Sequence, residues 1–218
     1  MFSKTTRSPE IFRLGSAGIS AETVKRAAVI LRSGGVVIYP TETFYALGAV
    51  ATLEEAVSRI FQIKGRDFAK ALPLIAADLP AVLDAVSKWP EAARLLSHLF
   101  WPGPLSLVVP ASPSLPPALH AGTGKIALRI SSHPVASLLA KLSGGLLIST
   151  SANISGAPAP QNCAGLDKGL LSCVDALLDA GDLPGGFPST IVDISVYPVA
   201  ILREGKIAAE QILGVFGK

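Results

Sequence analysis

The stretch from Leu95 to Gly124 contains no Asp, Glu, Lys or Arg and is apolar enough to be mistaken for a membrane span. It also carries Pro102, Pro104, Pro110, Pro113, Pro116 and Pro117. A proline inside a helix removes a hydrogen bond and clashes with the preceding turn, so no spanning helix can form here. Such a run belongs in a globular domain, with Pro110 to Pro117 read as an ordered surface loop or crossover, or more plainly as a simple connector. The composition agrees, with 50% of residues apolar and 16% charged, enough to fill a core. No polar linker divides the 218 residues, which predicts a single domain over residues 1–218. The opening "MFSKTTRSPEIF" has no apolar segment followed by a small-residue cleavage site, so a cytoplasmic location is expected.

Periodicity predicts the elements. Ser20 is placed to cap a helix with Val24, Ala27, Ala28 and Leu31 on its inner face, stopped by Gly34-Gly35. "VVIY" reads as a buried strand. Thr52 and Glu55 form a capping-box pattern before a second helix that buries Ala56, Val57, Ile60, Phe61 and Ile63. Short strands are predicted at "ALPLIAA", "LSLVVP", "KIALRI" and Leu146 to Ser149. Helices are predicted from Pro90 through Leu99 and from Pro134 to Leu142, and "DALLDAG", "STIVDIS" and "VAILREG" form a late group of strands. Helices and strands alternate early and strands cluster late. That order predicts an α/β domain with an open mixed sheet and flanking helices.

Five segments could carry chemistry. In "YPTETFYALGA", Thr41, Glu42 and Thr43 follow a strand's carboxyl end, where open α/β sheets bind ligands; a strand-to-helix turn capped by Thr43 explains the same residues. "IKGRDFAK" puts Lys64, Arg66 and Lys70 at a helix end, with Gly65 permitting close approach of a polyphosphate; a solvated basic helix end is the plainer reading. "STSANISG" offers neutral donors, Ser149, Ser151 and Asn153 among them, with no nucleophile elbow or adjacent base. Ser189 and Thr190 begin a strand after a Gly-rich loop. Arg129, in the apolar strand "IALRI", requires an anion or carboxylate as partner, and Arg203 sits in "ILREG".

Other chemistries find little support. Cys163 and Cys173 lack zinc-site spacing, and His98, His120 and His133 are scattered. No Walker A loop or GxGxxG motif is present. The net charge of +3 and pI near 9.0 suit an anionic ligand or contact with nucleic acid without requiring either.

In this order the segments "GGVVIYPTETFYALGA", "KGR", "WPGPLSLVV", "ALRISSHPVA", "STSANISG", "STIVD" and "LREG" resemble the threonylcarbamoyl-AMP synthase family, also called the YrdC or TsaC family. The resemblance runs from Ala21 to Gly205, and Lys64, Arg66, Ser151 and Asn153 match its Lys-x-Arg and Ser-x-Asn signature. It implies an open, twisted mixed sheet with flanking helices around a large cationic cavity. The implied enzyme, a nucleotidyltransferase, converts L-threonine, bicarbonate or CO2, and ATP to threonylcarbamoyl-AMP and pyrophosphate. Its product feeds N6-threonylcarbamoyladenosine formation at position 37 of tRNA, completed by threonylcarbamoyl-transferase partner proteins.

By motif position, the resemblance assigns Lys64, Arg66, Lys70, Ser151, Asn153 and Arg203 to ATP, with Lys64 and Arg66 catalytic. It assigns Thr41 or Thr43, Arg129, Ser149 and Ser189 to threonine. Mg2+ is expected through the ATP phosphates, with no metal site of the protein's own. Ala46 stands where relatives often have Gly, and "LPLIAAD" lacks a histidine that some members use near threonine. Both departures imply a slightly altered substrate position. On this resemblance the family's short form is expected. A carbamoyl-adenylate enzyme of the same fold, and a double-stranded-RNA or tRNA-binding module with weak RNA contact, are the alternative readings.

Overall fold

The computed structural model describes residues 8–14, 20–65 and 71–217. After strand β1 (Glu10–Arg13), helix α1 (Ala21–Arg32) starts at Ser20, whose hydroxyl accepts from the Thr23 backbone N–H, and buries Val24, Ala27, Ala28 and Leu31. Strand β2 (Val37–Pro40) then turns back at once into β3 (Tyr45–Gly48), its antiparallel partner. The turn after Pro40 is therefore a strand-to-strand connection, and the helix-capping alternative for Thr43 does not hold.

Helix α2 (Glu54–Lys64) begins after Leu53, without a side-chain cap, so the predicted Thr52–Glu55 box is not formed. Leu53 is packed against the core at that position, and its burial displaces the hydrogen-bonded start. Ile63, predicted inward, is only half-buried, while Lys64 is buried. Gly65 ends the helix in the left-handed conformation, φ 54°, which a side chain would strain.

Strand β4 (Leu74–Ala76) precedes α3 (Leu79–Ala85), a helix the periodicity did not predict. Asp78 caps it and Pro80 lies in its first turn, both ordinary start signals in a segment too short to show a periodic face. There follow α4 (Glu91–Phe100), β5 (Leu105–Pro110), β6 (Lys125–Arg129), α5 (Pro134–Leu142), β7 (Leu146–Ile148) and β8 (Thr150–Ser151). The chain closes with α6 (Lys168–Leu171), β9 (Ala176–Asp179), β10 (Thr190–Asp193), β11 (Ala200–Arg203) and α7 (Ala209–Leu213).

The strands form two mixed sheets where the sequence suggested one. The first has order β1-β9-β2-β3-β8 and the second β11-β10-β5-β6-β4-β7. They meet at Ser149: β7 pairs with β4 in the second sheet, and one residue later β8 pairs with β3 in the first. A stretch that reads as a single buried strand thus divides itself between two sheets. Helices α1 and α5 pack together on one face of the first sheet through Leu31, Val135, Leu139, Val37 and Leu178. Its other face, with Ile38, Tyr45 and Leu47, joins the larger core shared with α2 and the second sheet. Among the described residues, no helix is long and apolar enough to cross a membrane.

Candidate active site

A cavity of about 780 Å³ opens between the two sheets. The two-residue period of a strand decides what faces it. Along β6, Lys125, Ala127 and Arg129 line the cavity while Ile126 and Leu128 enter the core. Around β10 the same alternation brings Ser189, Ile191 and Asp193 to the wall and sends Val192 inward. The first sheet supplies Thr41, Thr43, Ala46, Ser151 and Asn153 opposite, with Ser149 at the join. Among the described residues, Lys125, Arg129 and Arg203 bring cations to the lining and Asp193 a carboxylate.

Thr41, Glu42 and Thr43 form the tip of the β2–β3 turn. The Thr41 hydroxyl donates to the Phe44 carbonyl at 2.7 Å and accepts from the backbone N–H groups of Thr43 and Phe44. The Thr43 carbonyl accepts from Gly185 N–H at 2.9 Å, tying the turn to the Gly-rich loop. Glu42 reaches the other sheet: its Oε1 accepts from Arg129 Nε at 3.0 Å and its Oε2 from the Ser131 hydroxyl. Burial alone would raise its pKa, but Arg129, Ser131 and its own backbone N–H together hold the carboxyl below the usual range. The partner that a buried Arg129 requires is therefore a residue of this chain. Burial lowers the pKa of His133, which caps α5, and Glu42 partly offsets the shift.

Beneath this pair lies Tyr39, whose hydroxyl donates to the Ile148 carbonyl at 3.0 Å. Burial pushes its phenol up to about 12, against opposing effects of a Ser149 hydrogen bond and Arg129. Arg203 lies across Ser189, donating from Nε and Nη2 to its carbonyl at 3.1 and 2.7 Å and from Nη2 to its hydroxyl at 3.1 Å. Burial and then the nearby Arg129 lower the Arg203 pKa, as expected for two guanidinium groups facing one space.

Lys64, at the end of α2, is 3% exposed. Its Nζ donates to the carbonyls of Ser151 and Asn153 at 2.6 and 2.8 Å and to Asn153 Oδ1 at 3.2 Å. The Ser151 hydroxyl donates to the same Oδ1 at 2.5 Å, and Asn153 Nδ2 to the Ala157 carbonyl. The ammonium therefore holds the Ser-x-Asn loop from behind. Arg66 and Lys70 lie outside the described residues.

Sequence reasoning missed Lys125 and Asp193, joined at 3.1 Å on the cavity wall, and the buried Glu42–Ser131 support of Arg129. Lys125 and Arg129 share one face of "KIALR", as Ser189 and Asp193 do across "STIVD", so strand alternation carried the missing signal. Asp193 also accepts from the Ser195 hydroxyl and backbone, and these bonds together with Lys125 hold its pKa low against burial.

Gly205 explains part of the "LREG" motif. A Cβ there would lie 2.2 Å from the Pro188 carbonyl oxygen and 2.7 Å from Ser189 C and Thr190 N, all backbone atoms that cannot give way cheaply. Gly205→Ala is expected to push the Arg203 strand away from Ser189 and cost about 1–3 kcal/mol, as overpacking does. Denaturant unfolding of the variant, compared with the parent chain, checks this.

A family model described as "Telomere recombination" (Sua5_yciO_yrdC) matches residues 29–205. The threonylcarbamoyl-AMP synthase of Pyrococcus abyssi is 36% identical over 195 residues, covering 89% of this chain and 57% of the relative. That of Nitrosococcus oceani is 35% identical over 170 residues, covering 78% of this chain and 92% of the relative. The crystal structure of P. abyssi Sua5 complexed with L-threonine superposes with a TM-score of 0.90 at 34% identity, covering 97% of this chain and 61% of that one. The chain thus spans a little over half the length of some relatives and nearly the whole of others.

Proposed function

The chain belongs to the Sua5/YciO/YrdC family, and from this premise we propose that it is a threonylcarbamoyl-AMP synthase, an adenylyl-transferring enzyme acting on L-threonine, bicarbonate or CO2, and ATP. The observation that carries the reading is the shared cavity. Arg129, Ser149 and Ser189 line the same space as Ser151, Asn153 and Arg203, so a small carboxylate-bearing ligand and a nucleotide can meet there. A relative of closely similar fold is described as complexed with L-threonine, which supports the amino-acid part.

In this reading the threonine amine adds to CO2, loses a proton and becomes a carbamate. A carbamate oxygen attacks the α-phosphorus of ATP, the bond to the bridging oxygen breaks, and pyrophosphate leaves. Both reactants are anions, and the task of the site is to offset their repulsion and align the attack. Arg129 receives the threonine carboxylate, with Thr41 or Thr43, Ser149 and Ser189 as neutral donors around it. Arg203, Ser151 and Asn153 receive ATP, joined by Arg66 and Lys70. Lys64 contributes by holding the Ser151–Asn153 loop.

Mg2+ enters with ATP as part of the substrate. Among the described residues no group of three or more His, Cys, Asp or Glu side chains could hold a metal ion, and Asp193 is already engaged by Lys125 and Ser195. The walls also shield the carbamate, which loses CO2 readily in water. The product would serve tRNA threonylcarbamoylation in the cytoplasm, passed to transferase proteins that act on position 37.

Pyrophosphate release with ATP, Mg2+ and bicarbonate, run with each amino acid in turn, tests the proposal. Release strictly dependent on L-threonine is expected. Release with no amino acid added overturns it, as does RNA binding that weakens steeply with salt while ATP is never consumed.

A further inference from the structure

We propose that Glu42 is a positioning residue: by holding Arg129 through Nε alone, it leaves the two Nη groups as a fork aimed into the cavity at a ligand carboxylate. The proposal rests on the reading of this cavity as an amino-acid site. Its basis is geometric. The Arg129 and Glu42 side chains are 6% and 10% exposed, and Nε lies 3.0 Å from Oε1. The second carboxylate oxygen is taken by the Ser131 hydroxyl, which itself accepts from the His133 backbone N–H at 3.1 Å, so the carboxylate is fixed at both oxygens.

Among the described residues, the Arg129 guanidinium has no other hydrogen-bond partner. Neither Nη is sealed away unpaired, since the one such buried side-chain atom among those residues is Ser143 Oγ. The Nη groups must then reach the cavity that Arg129 lines. A guanidinium offers its donors along flat edges, and a carboxylate fits such an edge with two parallel hydrogen bonds. With Nε engaged, the remaining complete edge is the Nη1–Nη2 pair. Glu42 sits at the turn of the first sheet and Arg129 at the end of a strand in the second, 87 residues apart. The same contact therefore fixes the fork and the spacing of the two walls at this end.

The test compares the parent chain with Glu42→Gln, Glu42→Ala and Glu42→Asp, by steady-state pyrophosphate release and by calorimetric binding of L-threonine and L-threonine amide. Loss of a charge-assisted contact predicts that Ala raises the KM for L-threonine at least about tenfold while the KM for ATP moves less than about twofold. Asp keeps the charge but loses the reach, so the same rise is expected if the Ala variant does not fold. Gln keeps an acceptor for Nε and is expected to restore the KM to within about threefold. L-Threonine amide has no carboxylate, so its binding should be equally weak in all four proteins.

A parallel rise in both KM values overturns the proposal. So does a Gln variant with unchanged KM and lost turnover, which would make the charge of Glu42 a participant in proton transfer. A parent chain that binds no L-threonine overturns the amino-acid reading instead. The Arg129 Nε–H resonance then decides Glu42 separately: slow solvent exchange in the parent and Gln chains but not in Ala supports positioning, and unchanged exchange in Ala refutes it.

Discussion

Replacing Arg129 by alanine is expected to reduce threonine-dependent pyrophosphate release by at least about a hundredfold, because in its proposed role the guanidinium makes two charge-assisted hydrogen bonds to the threonine carboxylate and both would be lost together. The fold should not escape. Glu42 is nearly buried and Arg129 is its only ion-pair partner among the described residues, so the alanine variant leaves a carboxylate without its counter-charge. Removing one member of a buried pair typically costs about 3–5 kcal/mol. Motif position alone predicts lost activity in an intact protein; the Glu42 contact adds the loss of stability. Arg129→Lys separates the two effects, because an ammonium can still offset Glu42 but cannot present a flat fork. That variant should recover much of the stability and little of the threonine affinity. Denaturant unfolding beside pyrophosphate kinetics checks both statements, and alanine kinetics close to the parent's would refute the assignment.

Lys64→Ala is expected to have the second largest effect, and through a loop. The ammonium is bonded to two backbone carbonyls and the Asn153 side chain, in a position that is 3% exposed. The Asn153 carbonyl would be left without a donor, at a cost of about 1–3 kcal/mol, while the Ser151 carbonyl keeps the Asn153 backbone N–H at 2.9 Å. The segment from Ser151 to Ala157 would also lose the charge that gathers its oxygens on one side. Since Ser151 and Asn153 line the cavity, the KM for ATP should rise at least about tenfold while the KM for threonine changes less. Lys64→Met fills a similar volume without the charge, so it should be less disruptive to packing and equally damaging to ATP use. Parent-like ATP kinetics in both variants would show that the loop keeps its shape without Lys64.

Much of this arrangement was legible from local pattern. Helix α1 begins at its predicted cap and buries the predicted residues because both depend on neighbours within one or two turns. Helix α5 runs from Pro134 to Leu142 as its periodicity predicts, and the strands at "LSLVVP" and "KIALR" lie where apolar runs place them. The capping box at Thr52 failed because the competing burial of Leu53 depends on a core distant in sequence. The hairpin at Thr41 was hidden because "YALG" is too short to declare itself a strand without its partner.

The sequence by itself determined most of the longer helices and strands, that the proline-rich uncharged stretch forms no spanning helix, and which motifs hold the cations and hydroxyls. Tertiary structure decided what each charge does. Lys64 meets Ser151, and Arg129 meets Glu42, across 87 residues in both cases, and "LLISTS" divides between two sheets at Ser149. Local propensity acts over a few residues. The desolvation of a buried cation must be offset by whichever acceptors the completed fold brings within about 3 Å, and only chain topology brings them there.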